Sequence, residues 1–134
     1  MFDILDIGAS GLQAQRVRLD TIAGNIANLN TTEDANGNNV PYRRRFVVFA
    51  PGQAGNESAP GVHVQDIKQD MSPFNKVYEP GNPQADANGY VQTPNVDLST
   101  EYVNALECTR AYEANVTMMD TAKSMLASSL RLLA

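Results

Sequence analysis

The side chains that could do covalent chemistry are few. One histidine, His63, and one cysteine, Cys108, are the candidates for a base and a thiol nucleophile, with 15 Asp and Glu residues available to orient an imidazole. A Cys/His hydrolase would need the two to meet. Local pattern argues otherwise: His63 alternates with Val62 and Val64 and so faces solvent on a strand, while Cys108 lies in a helical stretch as a small apolar or half-exposed group. No nucleophile elbow, glycine-rich phosphate loop or paired metal-ligand motif occurs. A single cysteine cannot close an internal disulfide, and a single histidine leaves no zinc cluster. Neither a catalytic site nor a metal or cofactor is expected.

Two further patterns invite a chemical reading. The tetrapeptide Asp-Ala-Asn-Gly occurs at Asp34–Gly37 and again at Asp86–Gly89, superficially like a calcium loop. With Gly37 or Gly89 at the sixth loop position, the first ligand would be Thr32 or Gln84 and the bidentate acid would be Arg43 or Asn95, so both fail. Tight turns are expected instead, since Asn-Gly reaches positive φ at little cost. Arg43, Arg44 and Arg45, beside Tyr42 and Phe46, form a basic cluster of the kind a nucleic-acid strand shows. Lys plus Arg is 10 against 15 acids, a net charge of −5, which opposes binding to nucleic acid or anionic lipid. Ion pairs with carboxylates of the same or a neighbouring subunit are the expected use of these guanidiniums. As a strand, Tyr42 to Phe49 would place Arg44 with Tyr42 and Phe46, and Arg43 and Arg45 with Val47.

The elements that hold these residues are two helices flanking a β-rich middle. Leu5, Leu12, Leu19 and Ile26 recur every seven residues, with Ile22 and Leu29 beside them, which predicts an amphipathic helix over residues 3–30. Asp3 and Asp6 suit its N-terminal end, and Asn30 is placed as a left-handed cap. Gly8, Gly11 and Gly24 weaken the helix in isolation, and the cluster Gly8-Ala9-Ser10-Gly11 is small enough to let another backbone approach closely. Residues 98–134 return to helix after the N-cap Asp97, with Glu101 in the first turns. The apolar seam there reads Tyr102, Ala105, Thr109, Tyr112, Val116, Met119, Leu126, Leu130 and Leu133, interrupted by Lys123.

Between the helices, residues 32–97 hold six of the nine glycines and all seven prolines. Tyr42–Phe49 and Val62–Ile67 read as strands, with Phe74–Tyr78 and Gly89–Gln92 as weaker ones, and residues 51–61 as an exposed loop tip. The fold class is therefore mainly α with a small antiparallel β insert, in three segments: 1–31, 32–97 and 98–134. A chain of this length supplies one domain's worth of core. The helices exceed what so small a middle can cover, so the heptad seams are expected to pair as a coiled coil and to be buried between subunits. The start Met-Phe-Asp-Ile-Leu-Asp has acids where a secretory signal carries basic residues, and no apolar run is long enough for a membrane span.

Specific strings narrow the reading. Leu19–Thr32 contains Asn25-Ile26-Ala27-Asn28 followed by Asn30-Thr31, which resembles the N-terminal signature of the bacterial flagellar rod and hook axial proteins. Pro41-Tyr42-Arg43-Arg44 before Val47-Val48-Phe49, and the run Val77 to Val91 with Asn88-Gly89-Tyr90, add to the likeness. So do Pro94-Asn95-Val96-Asp97, Arg110-Ala111-Tyr112-Glu113-Ala114-Asn115-Val116, and Ala122-Lys123-Ser124-Met125. Taken in order these are similar to the proximal rod members of that family over nearly the whole chain.

The resemblance implies a structural subunit of the basal-body rod, the shaft crossing the periplasm, with no reaction. It implies that the terminal helices line the export channel as an inner layer and that the middle forms an outer β layer. Partners would be other rod proteins, copies of the chain itself, and the type III export apparatus, which passes such subunits without signal cleavage. The inner seam would pair Leu5, Leu12, Leu19, Ile22, Ile26 and Leu29 with Tyr112, Val116, Met119, Leu126, Leu130 and Leu133. Asn25, Asn28, Asn30 and Asn115 would satisfy backbone groups at helix ends or between subunits. A soluble coiled-coil regulator or export chaperone could present similar helices, and only the motif series separates it from a rod subunit.

Overall fold

The computed structural model describes residues 2–134. Helix α1 spans Phe2–Ala27, strands β1 to β4 span Arg45–Pro51, Val62–Gln69, Asn75–Tyr78 and Tyr90–Thr93, and helix α2 spans Leu98–Leu133. The mainly helical architecture with a small antiparallel β insert is as expected, but the strands form two separate two-stranded sheets, β1-β2 and β3-β4, rather than one. β1 starts three residues later than the aromatic pattern suggested and β2 continues to Gln69, with a bulge at Gln65 that breaks the register between Val48–Asp66 and Phe49–Val64. Tyr42, Arg43 and Arg44 therefore precede the strand, and the predicted split of the arginines between two strand faces does not apply.

Helix α1 stops at Ala27, short of the predicted Asn30. There the Leu29 N–H turns to the Ile26 carbonyl at 3.2 Å, three residues back, while the Asn28 side-chain amide donates to the Gly24 carbonyl at 2.8 Å and its Oδ1 accepts the Thr31 hydroxyl at 3.1 Å. Among the described residues only glycines have positive φ, so Asn30 is not a left-handed cap, and Leu29 lies beyond the helix. α2 begins as expected at Asp97, whose carboxylate accepts the Thr100 hydroxyl at 2.6 Å, while its carbonyl takes the first helical bond from Glu101 at 3.0 Å. That hydroxyl bond is the largest reason the Asp97 carboxyl titrates below the usual range.

The two helices run antiparallel. Gly8 lies against Met119, Gly11 against Asn115, the Gln15 carbonyl accepts the Cys108 thiol at 3.0 Å, and Arg18 faces Glu107 at 3.6 Å. The approach is close because glycine has no side chain: a Cβ on Gly8 would stand 2.6 Å from Met119 Cγ, and one on Gly11 would stand 2.9 Å from Asn115 Nδ2. The small cluster suggested close approach of another backbone; what fills the space instead is the side chains of Met119 and Asn115. The face that α2 turns toward α1 carries Glu101, Ala105, Cys108, Ala111, Asn115, Met119, Ala122 and Leu126. It lies one position away from much of the predicted apolar seam: Tyr102, Tyr112, Val116, Leu130 and Leu133 are exposed, at 56%, 42%, 38%, 59% and 85%. Small residues make the tight contact, and the large apolar ones point outward.

The fully apolar interior is correspondingly thin, consisting of Ala14, Ile22, Val91, Val96 and Cys108. Accessible surface totals 9012 Å² for a 14.5 kDa chain, whereas a compact monomer of that mass exposes about 6,900 Å². Residues 127–133 of α2 run past the start of α1 with Leu130, Leu132 and Leu133 all exposed. Among the described residues no helix is long and apolar enough to cross a membrane.

The twin tetrapeptides fold into the same turn twice. Asp34 Oδ1 accepts the amides of Asn36 and Asn38 at 2.9 and 2.8 Å, and Asp86 Oδ1 accepts those of Asn88 and Tyr90, both at 2.9 Å. In both, the glycine amide donates to the aspartate carbonyl at 3.0 Å, with φ of +79° at Gly37 and +82° at Gly89. The aspartate oxygens cap backbone amides, which is the predicted turn chemistry. At Asp34 these bonds, led by the Asn38 side chain, hold the carboxyl below its ordinary pKa.

Candidate functional site

The strongest constellation is a buried polar junction where α1, α2 and the middle segment meet. Asn25 and Glu101 are both wholly buried. Asn25 Oδ1 accepts the backbone N–H of Arg45 at 2.9 Å and the Tyr42 hydroxyl at 3.1 Å, while its amide donates to the Arg45 carbonyl at 2.8 Å and to Glu101 Oε2 at 3.2 Å. The second Glu101 oxygen pairs with Arg44 Nε, and Arg44 Nη1 reaches Asp70 Oδ2 at 3.7 Å. One asparagine thus reads the backbone of β1's first residue as a complementary strand would, and ties it to the first turn of α2.

Asn95 repeats the device from the other side. Its Oδ1 accepts the Arg44 backbone N–H at 2.9 Å, and its amide donates to the carbonyls of Asp70 and Ser72 at 3.0 and 3.1 Å. Arg43 donates to the same two carbonyls, both at 3.1 Å, and lies 4.2 Å above the Phe74 ring. Pro94 is buried beneath, its carbonyl accepting the Asn75 amide at 3.1 Å. Burial raises the Tyr42 pKa, and the Ser72 hydroxyl is the main cause of a lowered Asp70 pKa.

The motif residues Asn25, Tyr42, Arg43, Arg44, Pro94 and Asn95 therefore converge on one junction. Of the three arginines, Arg44 meets carboxylates of its own chain as expected, whereas Arg43 donates to two backbone carbonyls and Arg45 lies by the Tyr42 ring. The pattern did not reveal that Glu101 and Asp70 are those carboxylates. The other motif residues serve elsewhere. Pro41 is buried in the link to β1, Asn28 closes α1, and Asn88 and Gly89 make the second turn. Tyr90 packs edge-on against Tyr78 with ring centres 5.3 Å apart. Asn115 lies against Gly11, while Arg110 and Asn30 are exposed.

Of the seam residues, Ile22 is buried, Leu5, Leu12, Ile26, Leu29, Met119 and Leu126 are half-buried, and Leu19, Tyr112, Val116, Leu130 and Leu133 are exposed.

Neither chemical candidate behaves as a catalyst. His63 is half-buried rather than solvent-facing, with Nδ1 3.1 Å from the Gly52 carbonyl in the β1-β2 hairpin. Cys108 is 1% exposed, more buried than expected. It spends its S–H on the Gln15 carbonyl, and burial pushes its pKa up, away from a reactive thiolate. What the geometry offers is a rigid junction and long uncovered apolar helix faces, the attributes of an assembly subunit.

Comparison with known proteins agrees. A family described as flagella basal body rod protein matches residues 5–33, and one described as the C-terminal part of the flagellar basal body rod FlgEFG proteins matches residues 87–132. The flagellar basal-body rod protein FlgC of Bacillus subtilis is 44% identical, with 98% of this chain and 97% of that protein aligned. The FlgC of Salmonella typhimurium is 42% identical over the same shares, and that of Borreliella burgdorferi is 37% identical over 99% and 97%. On this full-length similarity the chain belongs to the FlgC family of flagellar basal-body rod proteins, as a structural rod subunit and not an enzyme.

Proposed function

We propose that the chain is a proximal rod subunit whose segments 1–31 and 98–134 form the inner helical layer around the export channel, with segment 32–97 outside it. Copies of the chain and other rod proteins cover the apolar faces of α1 and α2 by coiled-coil packing, and torque passes across the periplasm through many such repeated contacts. The subunit reaches its place through the type III export apparatus without signal cleavage. The observation that carries this reading is the surface excess. The chain exposes about 2,100 Å² more than a compact monomer of its mass, and most of its exposed large apolar side chains, among the described residues, belong to α1 and α2. An area of that size is what a stable interface needs.

The experiment replaces Leu130, which is 59% exposed on the overhanging turns of α2. Leu130→Asp is expected to leave the folding of the purified chain unchanged and to abolish its incorporation into basal bodies, because it buries an unpaired charge at every repeated contact. Leu126→Asp should also abolish assembly, with some loss of stability. Normal swimming of a deletion strain carrying Leu130→Asp overturns the assignment of this face.

A further inference from the structure

The Asn-Gly dipeptide occurs at Asn36–Gly37 and Asn88–Gly89 and nowhere else in the sequence. Glycine after asparagine is chemically labile, because no side chain screens its backbone nitrogen from the asparagine amide carbon. We propose that Asn36 is a site of spontaneous deamidation on the folded chain and that Asn88, in the same local turn, is protected by its packing on β3 and β4. In the reaction a hydroxide ion removes the glycine N–H proton and the nitrogen attacks asparagine Cγ. A new C–N bond closes a cyclic imide, and the side-chain nitrogen leaves as ammonia. Water then opens the imide at one carbonyl or the other, giving aspartate or isoaspartate.

Local geometry alone would make the two sites equal. In each, the asparagine N–H donates to the aspartate Oδ1 at 2.9 Å and the glycine N–H donates to the aspartate carbonyl at 3.0 Å. The attacking nitrogen is therefore held on a carbonyl oxygen and must be released by local opening of the turn. What differs is the cost of that opening. Gly37 is exposed, and a Cβ there would meet nothing within 4 Å. Asn38 adds a side-chain bond to Asp34 Oδ2 at 3.0 Å, but it belongs to the same turn and is lost with it. Gly89 is half-buried, and its carbonyl accepts the Glu79 N–H at 2.9 Å, one step beyond the Tyr78–Tyr90 pair of the β3-β4 ladder. A Cβ on Gly89 would stand 3.0 Å from Tyr78 Cε2 and 3.2 Å from Pro80 Cβ. Opening the second turn therefore breaks strand pairing and packing as well as the turn itself. Each event at Asn36 adds a negative charge beside Glu33 and Asp34. The isoaspartate product also lengthens the main chain by one carbon, which takes the two amides out of reach of Asp34 Oδ1.

The test incubates the purified full-length chain in mildly alkaline buffer, with and without concentrated urea, and follows both Asn-Gly peptides by mass spectrometry after digestion. In the folded chain Asn36 is expected to deamidate on the order of tenfold faster than Asn88, the factor that one more hydrogen bond and its packing supply. In urea the two rates should converge. Equal rates in the folded chain, or a faster Asn88, overturn the proposal. So does a preference for Asn36 that survives undiminished in urea, since the cause would then lie in the flanking sequence and not in the fold. Tyr78→Ala supplies an independent check by removing the ring that covers Gly89. It is expected to raise the Asn88 rate toward that of Asn36 and to leave Asn36 unchanged. An unaltered Asn88 rate in that variant overturns the assignment of protection to β3 and β4.

Discussion

Glu101, with no exposed surface, holds Arg44 from 57 residues away in sequence through an Nε–Oε1 bond, and its other oxygen accepts from Asn25 at 3.2 Å. A carboxylate taken out of water is tolerated only when both oxygens are met, and here α1 and the segment before β1 each supply one donor. The junction is thus a condition on the whole fold. The helix pair and the middle segment cannot separate without stranding a charge. Replacing Glu101 by Ala leaves Arg44 with Asp70 alone and Asn25 with an unmet donor. Glu101→Ala is expected to cost about 3 kcal/mol, lowering the Tm by roughly 10 °C. Arg44→Ala, which strands the buried acid, should cost a similar amount, and the double variant less than the sum. Additive single effects in urea unfolding would contradict a shared network.

Much of this architecture is legible in the sequence, and what is not legible has a physical reason. Both helices, the four strands and the twin Asp-Ala-Asn-Gly turns follow from local periodicity and turn chemistry, which act within a few residues. The contact face of α2 does not. A seam traced through large apolar residues selects Tyr112 and Val116 along with Met119, yet it is Met119 and Asn115 that fill the space left open at Gly8 and Gly11. Tyr112 and Val116 read as core from their apolarity, yet within one chain they stay 42% and 38% exposed. Glu101 reads as an acid suited to a helix N-terminus, and only the pairing of segments far apart in sequence gives it Arg44 and Asn25. The end of α1 moved for a local reason: the Leu29 N–H turns to the Ile26 carbonyl at 3.2 Å, three residues back, and the helical ladder stops there.

Glycines in α1 should divide by what faces them. A Cβ at Gly8 would meet Met119 Cγ at 2.6 Å and Sδ at 2.9 Å, whereas one at Gly24 meets nothing within 4 Å. Gly24→Ala is expected to stabilise the chain by about 1 kcal/mol through reduced backbone freedom. Gly8→Ala should lose that gain and more, a net cost of about 1–2 kcal/mol, because Met119 is pushed from its packed position. Chemical unfolding of the two variants checks the signs. A stabilised Gly8→Ala would mean that the helices separate at little cost at that point.

Cys108 should be chemically silent while the chain is folded. It is 1% exposed, donates to the Gln15 carbonyl at 3.0 Å, and has its pKa raised chiefly by burial. A raised folded-state pKa contributes stability that is complete below the ordinary thiol range and is lost as pH rises through the folded value. Labelling with a thiol reagent at neutral pH is expected to be about 100-fold slower than in denaturant, and alkaline pH should loosen the helix pair. Cys108→Ala should show less of that alkaline loss. Rapid labelling of the native chain would place the thiol outside the interface between α1 and α2.

Acid should loosen the junction from the β2 side. Asp70 Oδ1 accepts the Ser72 hydroxyl at 2.5 Å and the Ser72 amide at 2.9 Å, and these bonds, followed by Arg44 and Arg43, lower its pKa. With the folded pKa below the unfolded value, the carboxylate contributes stability that is present above the unfolded value of about 3.9 and disappears as pH falls through the folded one. Asp70→Asn removes the titrating group while keeping its size. The variant should therefore be less stable than the parent at pH 7, and the gap should narrow steadily between pH 5 and pH 3. Thermal unfolding across that range reads the difference directly. A gap that stays constant with pH would mean that Asp70 acts through shape alone and that its ion pair with Arg44 contributes nothing to holding the arginine on Glu101.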